Sequence, residues 1–324
     1  MNPMEVKKVS NENIEEMREL YGSFATVAQT DFFFEIPPIG FNDFKANFEE
    51  NFVKAYLCKS DIPEGFLLYS DNLTQGLEIT LIYTGNNENS LEIQTALIKK
   101  FIEDAKENYR GKIISYPMLG VQNNFTQDIT NLGFTPVGEA ILEFNFNNTV
   151  SQVVLKKSQT VELPENYTVD CWNDTYSDRA AQVIFEEFAK LNDAKFDSRF
   201  KTPAGSAQVL ECITKGYYGE FLKNATTVLK YNDIPVGFCF TNLTTEEIAN
   251  IPLLVLSEEH KHKGLGAYML KNSVTTLNNA IINGNNAIKV INTTCDTGNF
   301  PAMNTYRKIG FKEKTYYTHA FMEV

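Results

Sequence analysis

Two short stretches hold the residues best suited to chemistry. Residues 257–270 read SEEHKHKGLGAYML. An apolar run, IPLLVL, ends at Leu256, a polar loop carries Gly264 and Gly266, and a helix is expected to begin near Ala267. Glycines in such a loop let main-chain N–H groups approach an anion closely, and the start of a helix presents the positive end of its dipole. His260, Lys261, His262 and Lys263 make the loop basic in a chain whose formal net charge is −12. That local reversal of sign suits a polyphosphate. The same residues also read as a plain joint between a loop and a helix. The second stretch is NFPAMNTYRKIGF, in which Asn299, Ala302, Tyr306 and Gly310 recur at helical spacing and share one face of a short helix. There Tyr306 reads either as an anchored core tyrosine or as a proton donor.

The elements that must position these stretches come in two similar sets. DIPEGF begins at Asp61 and DIPVGF at Asp233, each between β-prone flanks, as in hairpins. Further on, NLGF around Gly133 is echoed by KIGF around Gly310. Gly65 to Gly133 spans 68 positions and Gly237 to Gly310 spans 73, so order and spacing are both kept. The chain reads as a duplication of a unit of roughly 155–165 residues. Each copy alternates strands with helices and adds a hairpin, which describes a mixed α/β sheet. Two domains are expected, at 1–150 and 166–324. Residues 151–165, of mixed polarity and without a clear period, are expected to link them.

Together the two chemical stretches resemble the acetyl-CoA signature and the closing helix and strand of the GNAT superfamily of N-acetyltransferases, over about residues 165–324. Lys261 stands where that family has Arg or Gln. The resemblance implies an α/β (α+β) class with two tandem GNAT-like mixed β-sheet domains flanked by helices. It also implies transfer of an acetyl group from acetyl-CoA directly to an amine. Carried over by position, Lys261, His262, Lys263, Gly264, Gly266 and Ala267 would hold the coenzyme's pyrophosphate, largely through main-chain amides. Leu254 and Leu256 would pair with the pantetheine arm, the Leu256 N–H polarising the thioester carbonyl. Asn299 would orient the helix or touch the coenzyme. Tyr306 would protonate the leaving thiolate, a group of similar basicity to a phenol. The family's usual base position falls near Asn250, which cannot take a proton. Glu220, Glu246, Glu247 and a chain of waters stay open as alternatives. Cys295 raises an acyl-cysteine route, against the family's habit of direct transfer.

In the first copy the equivalent loop, GNNENSLE, puts Asn89 and Leu91 near the places of Gly264 and Gly266, with Glu88 and Glu92 beside them. Ile129 stands at the place of Tyr306. Two glutamates repel a diphosphate, so this copy is expected to be degenerate, shaping the substrate or serving as scaffold. Tandem acetyltransferases with one degenerate half resemble this layout.

Composition narrows the classes further. The chain is 43% hydrophobic and 22% charged, with no apolar run near the ~20 residues that span a bilayer. MNPMEVKKVS does not read as a secretory signal. Five scattered cysteines without C-x-x-C spacing predict free thiols, a cytoplasmic setting and no metal. The acidic balance argues against nucleic acid and mildly favours an amine-bearing partner. The expected partner is therefore a small-molecule or peptide amine, with no membrane, and the chain is a monomer or homodimer. Two other readings stand beside this one: a non-catalytic acyl-CoA sensor, and an aminoacyl-transferring enzyme of paired GNAT-like fold. Tyr217, Tyr218 and Phe221, like Phe32, Phe33 and Phe34, could line an acceptor pocket or pack in a core.

Overall fold

The computed structural model describes residues 4–71, 76–85, 88–158, 162–284 and 287–324. Residues 1–3 of the opening segment, Asn86 and Asn87 of the first copy's loop, and residues 159–161 of the expected linker lie outside the described residues. The chain divides into two compact units. The first comprises Met1–Val137, Lys195–Asp197 and Tyr317–Val324, and the second Gly138–Ala194 and Ser198–Tyr316.

The first unit begins with β1 (Glu5–Lys8), α1 (Arg18–Asp31), α2 (Phe41–Glu49), β2 (Lys54–Lys59), β3 (Pro63–Ser70) and β4 (Leu77–Tyr83). It continues through α3 (Ser90–Asn108), β5 (Ile113–Met118) and α4 (Thr126–Asn131). Next come β6 (Thr135–Asn145), α5 (Thr149–Lys157), β7 (Tyr167–Cys171), α6 (Ser177–Phe188), α7 (Asp193–Phe196) and α8 (Pro203–Thr214). Strands β8 (Glu220–Phe221), β9 (Thr227–Tyr231), β10 (Ile234–Cys239), β11 (Asn242–Thr245), β12 (Ile248–Asn250) and β13 (Leu254–Leu256) follow. The chain closes with α9 (Leu265–Ile282), β14 (Val290–Asp296), α10 (Phe300–Ile309) and β15 (Lys312–Glu323).

In the first unit the strands run β1-β2-β3-β4-β5, and residues Thr318 to Glu323 of β15 pair antiparallel with β5. The β4–β5 pairing is parallel, and β1–β2, β2–β3 and β3–β4 are antiparallel. In the second unit β7, β9, β10 and β13 form an antiparallel set, while β6 pairs with β14 and β14 runs parallel to β12. Each unit has an apolar cluster on either side of its sheet. Phe24 and Phe44 lie in one and Phe101 in the other in the first unit. Phe188 and Leu270 mark the two sides in the second. Both units are thus mixed α/β, as the sequence predicts.

The repeated glycines have a packing reason. A Cβ at Gly65 would come within 2.6 Å of Ile93 on the first turn of α3, and one at Gly237 within 2.9 Å of Met269 on the first turns of α9. Each hairpin is bare where the following helix crosses it. The second pair of glycines closes helices. Gly133 and Gly310 adopt φ of 97° and 108°. Phe134 N–H donates to Ile129 O, and Phe311 N–H to Tyr306 O. Both are Schellman endings with the left-handed residue that glycine favours. Ile129 and Tyr306 therefore occupy the same place in the two units.

Two segments differ from expectation. Residues 149–157, which run into the expected linker 151–165, form α5. Asn148 accepts from the Val150 and Ser151 N–H groups, and Leu155 is buried in the second unit's core. One buried apolar residue in nine is too little to give a readable helical stripe. The apolar run IPLLVL is also split, because Ile251 N–H donates to Asn292 O and the chain then changes partner from β14 to β10.

His319 on β15 stacks flat on Phe196, with ring centres 3.8 Å apart, and its buried Nε2 has no hydrogen-bond partner among the described residues. Burial pushes its imidazole down from the usual 6.5 to about 3. The unfolded chain takes up this proton below pH 6.5 and the folded chain does not until about pH 3. Stability held above pH 6.5 is therefore lost on acidification, at about 1.4 kcal/mol per pH unit. Urea unfolding at a series of pH values should show the wild type losing about 2–3 kcal/mol more than His319→Phe between pH 6.5 and about 4.5. Parallel curves for the two proteins would contradict this.

Candidate active site

The basic loop begins as β13 ends. Residues Glu258–His260 make a single 3-10 turn, His262 sits at φ +60°, and Gly264 at φ +76° starts α9. The helix therefore starts at Leu265, two residues before the expected Ala267. No side chain caps it, so its first N–H groups lie behind Gly264 without a side-chain acceptor. A Cβ built at Gly266 would meet no atom within 4 Å. The protein itself does not require glycine there. That open space directly over a helix N-terminus suits a phosphate group, so the residues present fit the coenzyme the resemblance implies.

The four basic side chains separate into two roles. Lys261 Nζ pairs with Glu187 Oε2 at 2.5 Å and Glu258 Oε2 at 2.8 Å, while the Glu258 N–H donates to Glu187 Oε1 at 2.9 Å. Glu187 is buried on α6, so Lys261 ties the loop to that helix. His260 is buried, with Nδ1 2.7 Å from the Tyr167 hydroxyl. Burial moves its imidazole below the usual range. His262 and Lys263 are exposed; the Lys263 ammonium donates to Glu259 O. Ala267 is buried in the first turn of α9.

Strand β13 offers its other edge. Phe240 N–H donates to Leu253 O and Ser257 N–H to Val236 O, so residues 253, 255 and 257 face β10. By alternation the main-chain groups of Leu254 and Leu256 face away from it. On β14, Thr293 Oγ1 donates to Ile251 O, and the Tyr306 hydroxyl bonds to Thr293. Burial holds the Tyr306 phenol well above the usual range, so it stays protonated at neutral pH. Asn299 accepts from the Ala302 N–H and caps α10.

Residues 185–311 match the acetyltransferase (GNAT) family. No curated protein matches the sequence. Among solved structures, a GCN5-related N-acetyltransferase from Sphaerobacter thermophilus is 13% identical with a TM-score of 0.65, covering 100% of this chain and 97% of that one. A tandem GNAT protein from the clavulanic acid biosynthesis pathway is 12% identical with a TM-score of 0.60, covering 99% and 98%. At these identities the likeness is one of fold, and it is a tandem GNAT-like fold.

The first unit repeats the order of elements of the second with a different polar contact at its edge. Counting back from Phe134 and Phe311, Gln122 holds the place of Asn299. Instead of capping a helix, Gln122 Oε1 accepts from the Ile82 N–H at 2.9 Å and from the Tyr116 hydroxyl. Pairing with the hairpin glycines puts Ile82 at the place of Leu254, so an edge group that is outward in the GNAT segment is taken here. A cleft of about 960 Å³ remains nearby, lined by Glu19, Asp31 and Asp128 but by no basic side chain. Its acidic lining disfavours a pyrophosphate.

One group escaped sequence reading altogether. Glu139 arrives on β6 and pairs in register with Asp296 of β14. It is 6% exposed, and burial, with Asp193 and Asp296 nearby, raises its carboxyl to about 8. Cys295 beside it is pushed up to about 12, chiefly by burial. Asn250, at the family's base position, has a buried Oδ1 with no hydrogen-bond partner among the described residues. Tyr217 is widely exposed, Tyr218 lies within reach of Arg199, and Phe221 packs on Trp172. Phe32 is buried, Phe33 is exposed, and Phe34 packs against Phe24.

Proposed function

We propose that the chain is an acetyl-CoA-dependent N-acetyltransferase that passes an acetyl group directly to an amine of a small molecule or peptide. The second unit carries the reaction and the first is a degenerate copy that binds no coenzyme. The observation that carries this is the uncapped start of α9, with open space over Gly266, lying at the end of an edge strand. Bound there, acetyl-CoA supplies an activated thioester. The α9 N–H groups and those of Lys263 and Gly264 would take the phosphates, while Lys261 holds the loop in shape from behind. Leu254 and Leu256 would align the arm along β13, and the Leu256 N–H would support the developing oxyanion. Tyr306 would deliver a proton to the departing sulfur. A thiol held at about 12 is a poor nucleophile at neutral pH, which favours direct transfer over an acyl-Cys295 route.

The test is calorimetry with coenzyme A, followed by thiol release from acetyl-CoA with a panel of primary amines. Binding together with amine-dependent release is expected. Binding without release under every amine would favour the sensor reading instead.

A further inference from the structure

The GNAT segment's sheet carries a second polar surface, on the face opposite Tyr306. Partners in register share a face, and so do alternate residues of one strand. Asn250 pairs with Asn292, Asp296 with Glu139, and residues 292, 294 and 296 alternate along β14. All of these therefore point to one side. Ala140, Leu142, Ile291 and Cys295 point to the other, into the cluster that holds Tyr306. On the polar side Asn192, between α6 and α7, donates from Nδ2 to Asp296 Oδ2 at 2.6 Å, and Thr294 is exposed. Glu139 is more than nine-tenths buried, yet it makes no hydrogen bond or ion pair among the described residues. A largely buried carboxyl with no protein partner, beside two further acids, marks a candidate functional site. Asn250 Oδ1, the buried acceptor without a partner, lies on the same face.

Resting on the N-acetyltransferase reading, we propose that this face seats the acceptor as an ammonium ion, and that Glu139 is the base that deprotonates it. Asp296 and Asp193 supply the remaining negative charge. The ammonium gives one proton to the Glu139 carboxylate and the freed amine forms a C–N bond to the acetyl carbon. The C–S bond then breaks and Tyr306 protonates the sulfur, recovering its proton from the second N–H of the attacking nitrogen. The products are the amide, the free thiol and protonated Glu139. Amine and thiol thus occupy opposite sides of the split between β12 and β13, with the carbonyl between them.

The charged groups that act on Glu139 are Asp296 from β14 and Asp193 from α7; Cys295, with Tyr306 and Arg307 of α10 beyond it, lies on the other face of the sheet. Glu139→Gln, Asp296→Asn and wild type should be compared on coenzyme A binding and on acetylation of ethanolamine, spermidine, glucosamine and a lysine-bearing peptide from pH 6 to 10. Glu139→Gln should bind coenzyme A as wild type does but lose on the order of a hundredfold in kcat/KM for the amine. The wild-type profile should rise through about pH 8. Asp296→Asn, with one repelling charge removed, should move that rise to lower pH, a readout available even if Glu139→Gln does not fold. Glu139→Gln within threefold of an active wild type, or an unmoved rise in Asp296→Asn, overturns this inference alone. A wild type that binds coenzyme A and acetylates nothing overturns the transferase reading with it.

Discussion

Gly266→Val should melt at the temperature of the wild type and lose coenzyme A binding by on the order of a hundredfold, as read by calorimetry. The two halves of that result have separate causes. A Cβ at 266 meets nothing within 4 Å outside its own helix backbone and chain neighbours, and valine in a first helical turn is no worse than glycine in propensity. The same side chain fills the space over the helix start. Displacing one or two charge-assisted hydrogen bonds, at about 1.5–3 kcal/mol each, gives a loss of that size. Gly264 is the wrong position for this test, because φ of +76° would strain any replacement and confuse folding with binding. Unchanged heat of binding in Gly266→Val would remove the coenzyme from this loop, and the proposed function with it.

Tyr306→Phe should lower kcat by at least about a hundredfold while leaving coenzyme A affinity near that of the wild type. The substitution deletes one hydroxyl from a ring whose surroundings otherwise persist. Phe311 keeps its edge contact at 5.4 Å, and Thr293 keeps its own bond to Ile251 O. The cost in stability is about 1 kcal/mol, the usual value of one buried hydrogen bond. A full rate in Tyr306→Phe would mean that the sulfur leaves without help from this phenol. The tyrosine would then be the core anchor that its position also allows.

Local signals made most of this fold readable. The hairpins, the helix after Gly264 and the glycine that ends α10 are each written within a dozen residues, where turn chemistry and periodicity act directly. Tyr306 was readable because its helix carries both its cap, Asn299, and its stop, Gly310. Glu139 was not, since it reaches the site on a strand encoded far from every other site residue, and nothing in GEAILEF marks it as buried without a partner. The work of Lys261 was equally hidden: its partner, Glu187, lies on α6, and a lysine beside a glycine loop looks like a phosphate ligand until that pairing is seen. Gln122 shows the converse. Its side chain takes up the Ile82 N–H, but in sequence it is an ordinary polar residue before a helix.

The way each compact unit borrows its last strand also governs how the molecule can be made. Tyr317–Val324 complete the sheet of the first unit, and Gly138–Asn145 that of the second. Residues 317–324 must therefore be synthesised before the first unit can close. A gene cut between the halves would yield two fragments, each with a raw sheet edge prone to aggregation and a stray strand.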